Sequence, residues 1–483
     1  MRRGDFLRWL GFSGALLLTV ATLLNAAATP RWLTTVPAVV LAAAVAGMGT
    51  VVLAWVLLGR LVVTGGDAAP GPRALKWTVL LWAGPLLAAP PLFSRDVESY
   101  LAQGAIAARG LDPYVLGPRQ GLGPADELTR NMSGYWLDTP SPYGPLFTAV
   151  QRLIAQVTGE QQLTGLLLYR LVALVGVALV LWAVPRLAAR AGVPANAALW
   201  LGVANPLLLW HFVAGVHNDA LMLGLMLAGT VLALSAVDER VQWWRLSAGV
   251  LLIALAADVK LPAVVALAVV GTALARRLGG TLWHLALTGT AMLASVAVVS
   301  AVVSLATGLG FGWLTTLGTS GQVNSWMAPT NWFGFLTGGI GSLFGLRITQ
   351  TMIGVGQLVG YALIACGAVV VVHRQLRGSL GELPALGLLL AVVVAFGPAV
   401  QPWYLLWAAV PLATCLPAGR ARTTLAALVA LFAVLLPPLG GNFSGKVGQL
   451  VAGYLGGALV VAALAFLARR GAPERTHTAS ARR

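Results

Sequence analysis

The sequence predicts an all-α, multi-pass membrane protein with about fourteen transmembrane helices and a large first external loop carrying surface helices. Three observations predict it. Of 483 residues, 58% are hydrophobic and 10% charged, more apolar surface than a soluble core hides. The apolar residues fall in unbroken blocks, not the ten-residue alternation of a barrel, so helices are the spanning form. Basic residues gather on one side of the topology these blocks imply.

Taken in order, blocks at 7–28, 35–60 and 76–93 precede a long polar interval. Blocks at 162–186, 195–213, 216–237, 244–257, 261–276 and 283–306 follow, and a second external stretch occupies about 307–348. The last five are 349–372, 384–400, 402–418, 422–438 and 447–468, with 244–276 and 384–418 holding the shortest helices. Arg2 and Arg3 ahead of the first block resemble a secretory signal, but no small-residue cleavage site follows, so a retained first helix is expected. Residues 1–471 read as one transmembrane domain, and 472–483 as a disordered basic cytoplasmic tail. No fixed-period repeat is visible.

With both termini in the cytoplasm, 21 of the 31 Lys and Arg fall on that side, and six of the ten outside lie between Arg95 and Arg170. Short cytoplasmic loops carry basic pairs, as positive-inside sorting requires. The interval Ser94–Pro145 is therefore expected outside the plasma membrane. The +16 net charge is orientation signal plus tail, and no nucleic-acid partner is expected. Cys366 and Cys415 both lie inside spans, so no disulfide framework is implied.

Chemistry is expected in the first loop. Val97, Leu101, Ala105 and Ala108 recur at helical spacing and Gly110 ends the run, which predicts an amphipathic helix along the membrane surface. Asp96, Tyr100 and Gln103 share one face of it, while Glu98 points away. Asp96 is either an N-terminal acid favoured by the helix dipole and paired with Arg95, or a functional acid; its place at the head of the one large loop favours the second. An extended backbone would let Asp96 and Glu98 share a divalent cation, but ligand spacing does not support a metal site, and no cofactor is certain. A second surface helix is expected from Pro145 to about Val157, with Leu146, Val150, Leu153 and Val157 on its buried face.

The segments Ser94-Arg95-Asp96-Val97-Glu98-Ser99-Tyr100-Leu101-Ala102-Gln103-Gly104 and Ala108-Arg109-Gly110-Leu111-Asp112-Pro113-Tyr114 resemble the first external loop of the actinobacterial polyprenol-phosphate-mannose-dependent α-(1→6)-mannosyltransferases, of the glycosyltransferase-C superfamily. Asp138 to Pro145, Asn205-Pro206 through Gly215-Val216-His217-Asn218-Asp219-Ala220, and Gly397-Pro398 through Gln401-Pro402-Trp403-Tyr404-Leu405 are similar in the same order. The resemblance implies a polyprenyl-phosphate-mannose donor, a lipid-anchored mannan acceptor, backbone synthesis of lipomannan or lipoarabinomannan, and Asp96 as the catalytic base. Arg95, Glu98, Tyr100, Tyr143 and Gln401, within the matching segments, join the substrate-binding candidates.

Such a donor needs a base for the acceptor hydroxyl and a cation for the departing phosphate. General-base attack with inversion at the anomeric carbon asks for one acid rather than a glycosidase pair. Lys260, in Asp258-Val259-Lys260-Leu261-Pro262 at the external boundary, is the cation of choice; snorkelling or pairing with Asp258 is its alternative. Arg170 and Arg347 are further candidates, or interfacial anchors. His217 would hydrogen-bond phosphate or sugar and Asp219 orient a hydroxyl, although Asn218 and Asp219 also suit helix capping. Trp326, Trp332, Trp403 and Tyr404 offer faces for sugar, or belong to the aromatic belt. No phosphate-cradling loop or dinucleotide fingerprint occurs, which excludes a cytosolic nucleotide-sugar domain. The rival is a transporter or flippase of a lipid-linked saccharide, disfavoured because ionisable residues cluster at one boundary.

Overall fold

The computed structural model describes residues 3–27, 38–130, 132–159, 161–322, 324–439 and 445–470, and among these there is helix but no strand. The helices that matter here are α1 (Arg3–Ala27), α2 (Ala38–Thr64), α3 (Pro72–Leu86), α4 (Asp96–Ala108), α5 (Pro145–Thr158), α6 (Gln162–Arg190), α7 (Ala195–Val203), α8 (Pro206–Ala214), α9 (Asp219–Ala236) and α10 (Trp243–Val259). They continue with α11 (Leu261–Leu278), α12 (Leu282–Thr307), α13 (Pro329–Ser342), α14 (Thr349–Leu376), α15 (Glu382–Phe396), α16 (Pro402–Ala413), α17 (Arg420–Leu435) and α18 (Val447–Arg470). The expected tail at 472–483 lies outside the described residues.

The expected fourteen spans are not reached. Among the described residues eight helices are long and apolar enough to cross a membrane, or nine if α7 and α8, bent by 46° at Asn205, count as one. Helices α3, α10, α15 and α17 coincide with expected spans but have 15, 17, 15 and 16 residues. At 1.5 Å per residue they extend about 22–26 Å, short of a hydrocarbon core of about 30 Å. The chain is a multi-pass membrane protein in which several helices stop inside the depth they were expected to cross.

Lipid is as apolar as leucine, so helices associate there by close backbone approach. Glycine provides it at three crossings. A Cβ on Gly14 of α1 would sit 2.8 Å from the Gly47 carbonyl of α2; one on Gly224 of α9 would overlap Gly176 of α6; and one on Gly249 of α10 would sit 2.6 Å from the amide of Ala233 on α9. The last two crossings fix α6, α9 and α10 as a tight trio, and one end of that trio carries the site.

Both loop helices form, but each turns over relative to expectation. Helix α4 is packed inward through Tyr100, Gln103, Gly104 and Ala107, while Leu101, Ala105 and Ala108 are only half-buried. Helix α5 begins with Pro145 in its first turn, as expected, but buries Phe147, Thr148, Gln151 and Ile154 and leaves Leu153 59% and Val157 70% exposed. The two meet where a Cβ on Gly104 would fall 2.5 Å from the Gln151 carbonyl, and Gln151 donates to Gln103 Oε1 at 3.2 Å. Apolar residues that would hide from water face outward, and the polar ones find partners inside.

Candidate active site

Helix α4 opens at Asp96, whose backbone N–H donates to Ser94 Oγ at 3.1 Å; Phe93, just before, adopts a left-handed φ of 64°. The helix therefore already runs through Asp96 and Glu98, and their side chains part. Glu98 pairs with Arg95 at 2.6 Å and accepts from the Ser133 backbone at 3.1 Å. Asp96 turns the other way, accepting from Trp136 Nε1 at 3.3 Å on one oxygen and lying 3.3 Å from His217 Nδ1 through the other. The alternative pairing of Asp96 with Arg95 does not form. No group of three or more His, Cys, Asp and Glu side chains converges among the described residues.

His217 reaches Asp96 because the chain is forced to. Residues Leu209–Ala214 wind as a π-helix, the wider turn often met at functional sites. Gly215 donates to the Trp210 carbonyl at 2.7 Å, Val216 takes φ 60°, and His217 N–H closes on the His211 carbonyl at 3.1 Å. A β-branched residue in that left-handed region costs about 1–3 kcal/mol. The strain directs a fully buried imidazole at the carboxylate, and the Trp403 ring covers it at 3.9 Å.

Beside it, Tyr100 donates to Asn218 Oδ1 at 3.4 Å and accepts from the Asn218 backbone at 3.3 Å, tying α4 to the start of α9. Tyr143 and Phe147 pack edge-on against Tyr100 at 5.4 and 5.0 Å. A Cβ on Gly144 would overlap the Asp258 carbonyl, so the Tyr143–Gly144 turn lies directly on the end of α10.

Asp219 caps nothing with its side chain. Its oxygens accept from Lys260 Nζ at 3.0 and 2.9 Å, and one also accepts from Trp407 Nε1 at 2.7 Å. Lys260 does not pair with Asp258, which instead accepts from Ser300. The Tyr404 ring lies 4.6 Å from the Lys260 ammonium and stacks on Trp407 at 4.1 Å. With 18% of its side chain exposed, Lys260 is reachable from the site while Asp219 behind it is not.

Burial alone would raise the Asp96 carboxyl. The hydrogen bond and charge of His217, the Ser94 hydrogen bond and the charge of Lys260 outweigh it and hold the group below the ordinary carboxylate value. Asp96 is thus ionised at neutral pH and 18% exposed, ready to accept a proton.

The other candidates lie around this cluster. Arg170 is buried and donates to the carbonyls of Leu87 at 2.5 Å, Ala89 at 2.8 Å and Ala214 at 3.5 Å, binding the chain after α3 to the end of α8. Gln401 precedes the short turn that delivers Trp403 and Tyr404. Ser325 donates to the adjacent Val400 carbonyl at 2.7 Å, placing Trp326 (59% exposed) on the rim; Trp332 donates to the Trp326 carbonyl at 2.7 Å. Arg347 is exposed in the turn between α13 and α14. Sequence reasoning missed Trp136, Trp407 and His211. Trp407 had a signal, standing three and four residues beyond Tyr404 and Trp403 on one helical face; Trp136 had none.

Residues 8–276 match the family model described as alpha-(1->6)-mannopyranosyltransferase, N-terminal domain, and residues 330–466 match MptB C-terminal domain. A probable alpha-(1->6)-mannopyranosyltransferase of Mycolicibacterium smegmatis is 42% identical over 88% of this chain and 79% of its own length. An alpha-(1->6)-mannopyranosyltransferase of Mycobacterium tuberculosis is 41% identical over 78% of this chain and 71% of its own. Alpha-(1->6)-mannopyranosyltransferase B of Corynebacterium glutamicum is 34% identical over 86% of this chain and 73% of its own. No solved structure matches.

Proposed function

The chain belongs to the alpha-(1->6)-mannopyranosyltransferase family, and from that premise we propose that it moves mannose from polyprenyl-phosphate-mannose to a lipid-anchored mannan acceptor at the extracytoplasmic face of the plasma membrane. The observation carrying this reading is a single ionised, partly exposed carboxylate, Asp96, set beside one reachable ammonium, Lys260, at a common end of the bundle. One acid and one cation are what transfer from a lipid phosphate needs.

Asp96 takes the proton of the acceptor hydroxyl as that oxygen bonds to the anomeric carbon from the face opposite the phosphate. The bond from that carbon to the phosphate oxygen breaks, its electron pair leaves with the polyprenyl phosphate, and the configuration inverts. His217 sets the direction of the carboxylate, and Trp136 covers its other oxygen. Lys260, held by Asp219 between aromatic faces, compensates the charge gathering on the departing phosphate. Tyr143, Trp403, Tyr404, Gln401 and Trp326 offer faces and hydrogen bonds to sugar.

Incorporation of labelled mannose from polyprenyl-phosphate-mannose by the purified protein tests the reading. Transfer by wild type that is lost in Asp96→Asn supports it. A wild type that translocates the lipid without forming a glycosidic bond would overturn it in favour of transport.

A further inference from the structure

The trio α6, α9 and α10 has a second polar end. Helix α6 runs from Arg170 near the carboxylate cluster to Arg186 and Arg190; α9 runs from Asp219 to Ser235; α10 runs back from Arg245 to Asp258. At this far end lies a cavity of about 380 Å³ lined by Trp182, Arg186, Arg190, Ser235, Asp238 and Arg245, with Val231 and Leu232 as its apolar floor. Its size is that of a small-molecule site.

Three guanidinium groups border it against one carboxylate. Asp238 is already held by Arg190 at 2.8 Å, and Glu382 lies 3.9 Å from the same arginine. Arg186 lies over the Trp182 ring at 4.2 Å and donates to the Trp182 carbonyl at 2.7 Å, which fixes its guanidinium at the cavity edge. Arg245 makes no ion pair among the described residues. Two guanidinium groups are thus left for an anion, and their planar forks match phosphate oxygens.

The surroundings are amphiphilic. Trp243 and Trp244, next to Arg245, are 60% and 74% exposed, and Trp182 is 37% exposed. Exposed tryptophans beside arginines at a helix end mark the level of lipid headgroups. We infer that this cavity binds the phosphate headgroup of an anionic phospholipid, with the glycerol end of the lipid along Val231, Leu232 and the tryptophans. A free phosphate would use the same arginines but gain nothing from the apolar floor. Basic pockets between membrane helices recognise headgroups in this way. The inference is independent of the chemistry at Asp96.

Native mass spectrometry of the full-length protein in detergent, titrated with phosphatidylglycerol, tests it. One tightly held lipid is expected, with phosphatidylcholine failing to replace it. Losing two headgroup-facing arginines in R186Q/R245Q should weaken binding about 25-fold, and R245Q alone about five-fold. R276Q/R277Q removes the same charge from the last turn of α11 and should leave binding unchanged. If R186Q/R245Q lowers the melting temperature, R245Q decides, since its guanidinium supports no ion pair. Equal weakening by R276Q/R277Q, equal binding of phosphatidylcholine, or displacement of the lipid by equimolar inorganic phosphate would overturn the inference.

Discussion

His217 Nδ1 stands 3.3 Å from Asp96 Oδ2, although the two residues begin different segments on different helices. The contact is made by a fully buried imidazole held on a strained turn, so it is built into the fold rather than assembled by substrate. It gives one acid of the loop a defined direction and leaves its neighbour Glu98 facing Arg95.

Asp96→Asn keeps the side chain's size and removes the proton acceptor. Mannosyl transfer should fall about 10²- to 10⁴-fold while the protein still purifies and melts as wild type. Glu98→Gln breaks only an exposed ion pair worth about 0–1 kcal/mol and should change the rate little. Radiolabelled product counts check both; full activity in the Asp96 variant sinks the base assignment.

The acid limb should follow the same contact. Asp96 in the folded protein titrates below its ordinary value, so its contribution to stability is complete above about pH 4 and is lost as pH falls through the folded value. Wild-type kcat should therefore show no Asp96 limb between pH 7 and 5. His217→Gln removes the leading stabiliser of the carboxylate while burial remains, so the limb should move up. An unmoved kcat profile in that variant would count against the contact.

Lys260 and Asp219 form a buried pair, so removing either partner alone strands a charge. Lys260→Met and Asp219→Asn should each cost about 3–5 kcal/mol, and the double variant should recover much of it. Donor KM should stay raised in the refolded double variant, because the ammonium facing the phosphate is gone. Denaturation midpoints and donor titrations separate the two effects; recovery of donor use together with stability would return Lys260 to a structural role.

Arg170→Gln should lower stability by about 1–3 kcal/mol for each stranded carbonyl among Leu87, Ala89 and Ala214. Donor KM in the folded fraction should be unchanged. A selective rise in KM at wild-type melting temperature would instead make Arg170 the phosphate ligand.

Tyr135 is 85% exposed in the loop that holds Trp136 and Asp96. In a Cys366→Ala, Cys415→Ala background, Tyr135→Cys should react with an impermeant maleimide added to spheroplasts. Labelling only after permeabilisation would reverse the orientation and place the chemistry in the cytoplasm.

The helical membrane class was legible because blocks such as 35–60 and 349–372 are apolar on every face, and only lipid tolerates that. The position of the site was legible too, since Asp96, His217, Asp219 and Lys260 each break an apolar run, where an ionisable group needs a partner. The span count was not, because a 15-residue apolar helix such as α3 reads like a crossing one until its length is seen.

Sequence alone therefore determined which residues are polar against an apolar background, and hence the class, the boundary carrying chemistry and the acid at its head. Only tertiary structure decided how those residues pair: Lys260 with Asp219 rather than Asp258, Asp96 with His217 and Trp136, and Arg170 with carbonyls. It also decided which faces of α4 and α5 turn inward. The reason is physical. Period and polarity tell which face is apolar, but in lipid an apolar face is as comfortable outside as in, so close glycine crossings and polar partners from distant segments choose the orientation.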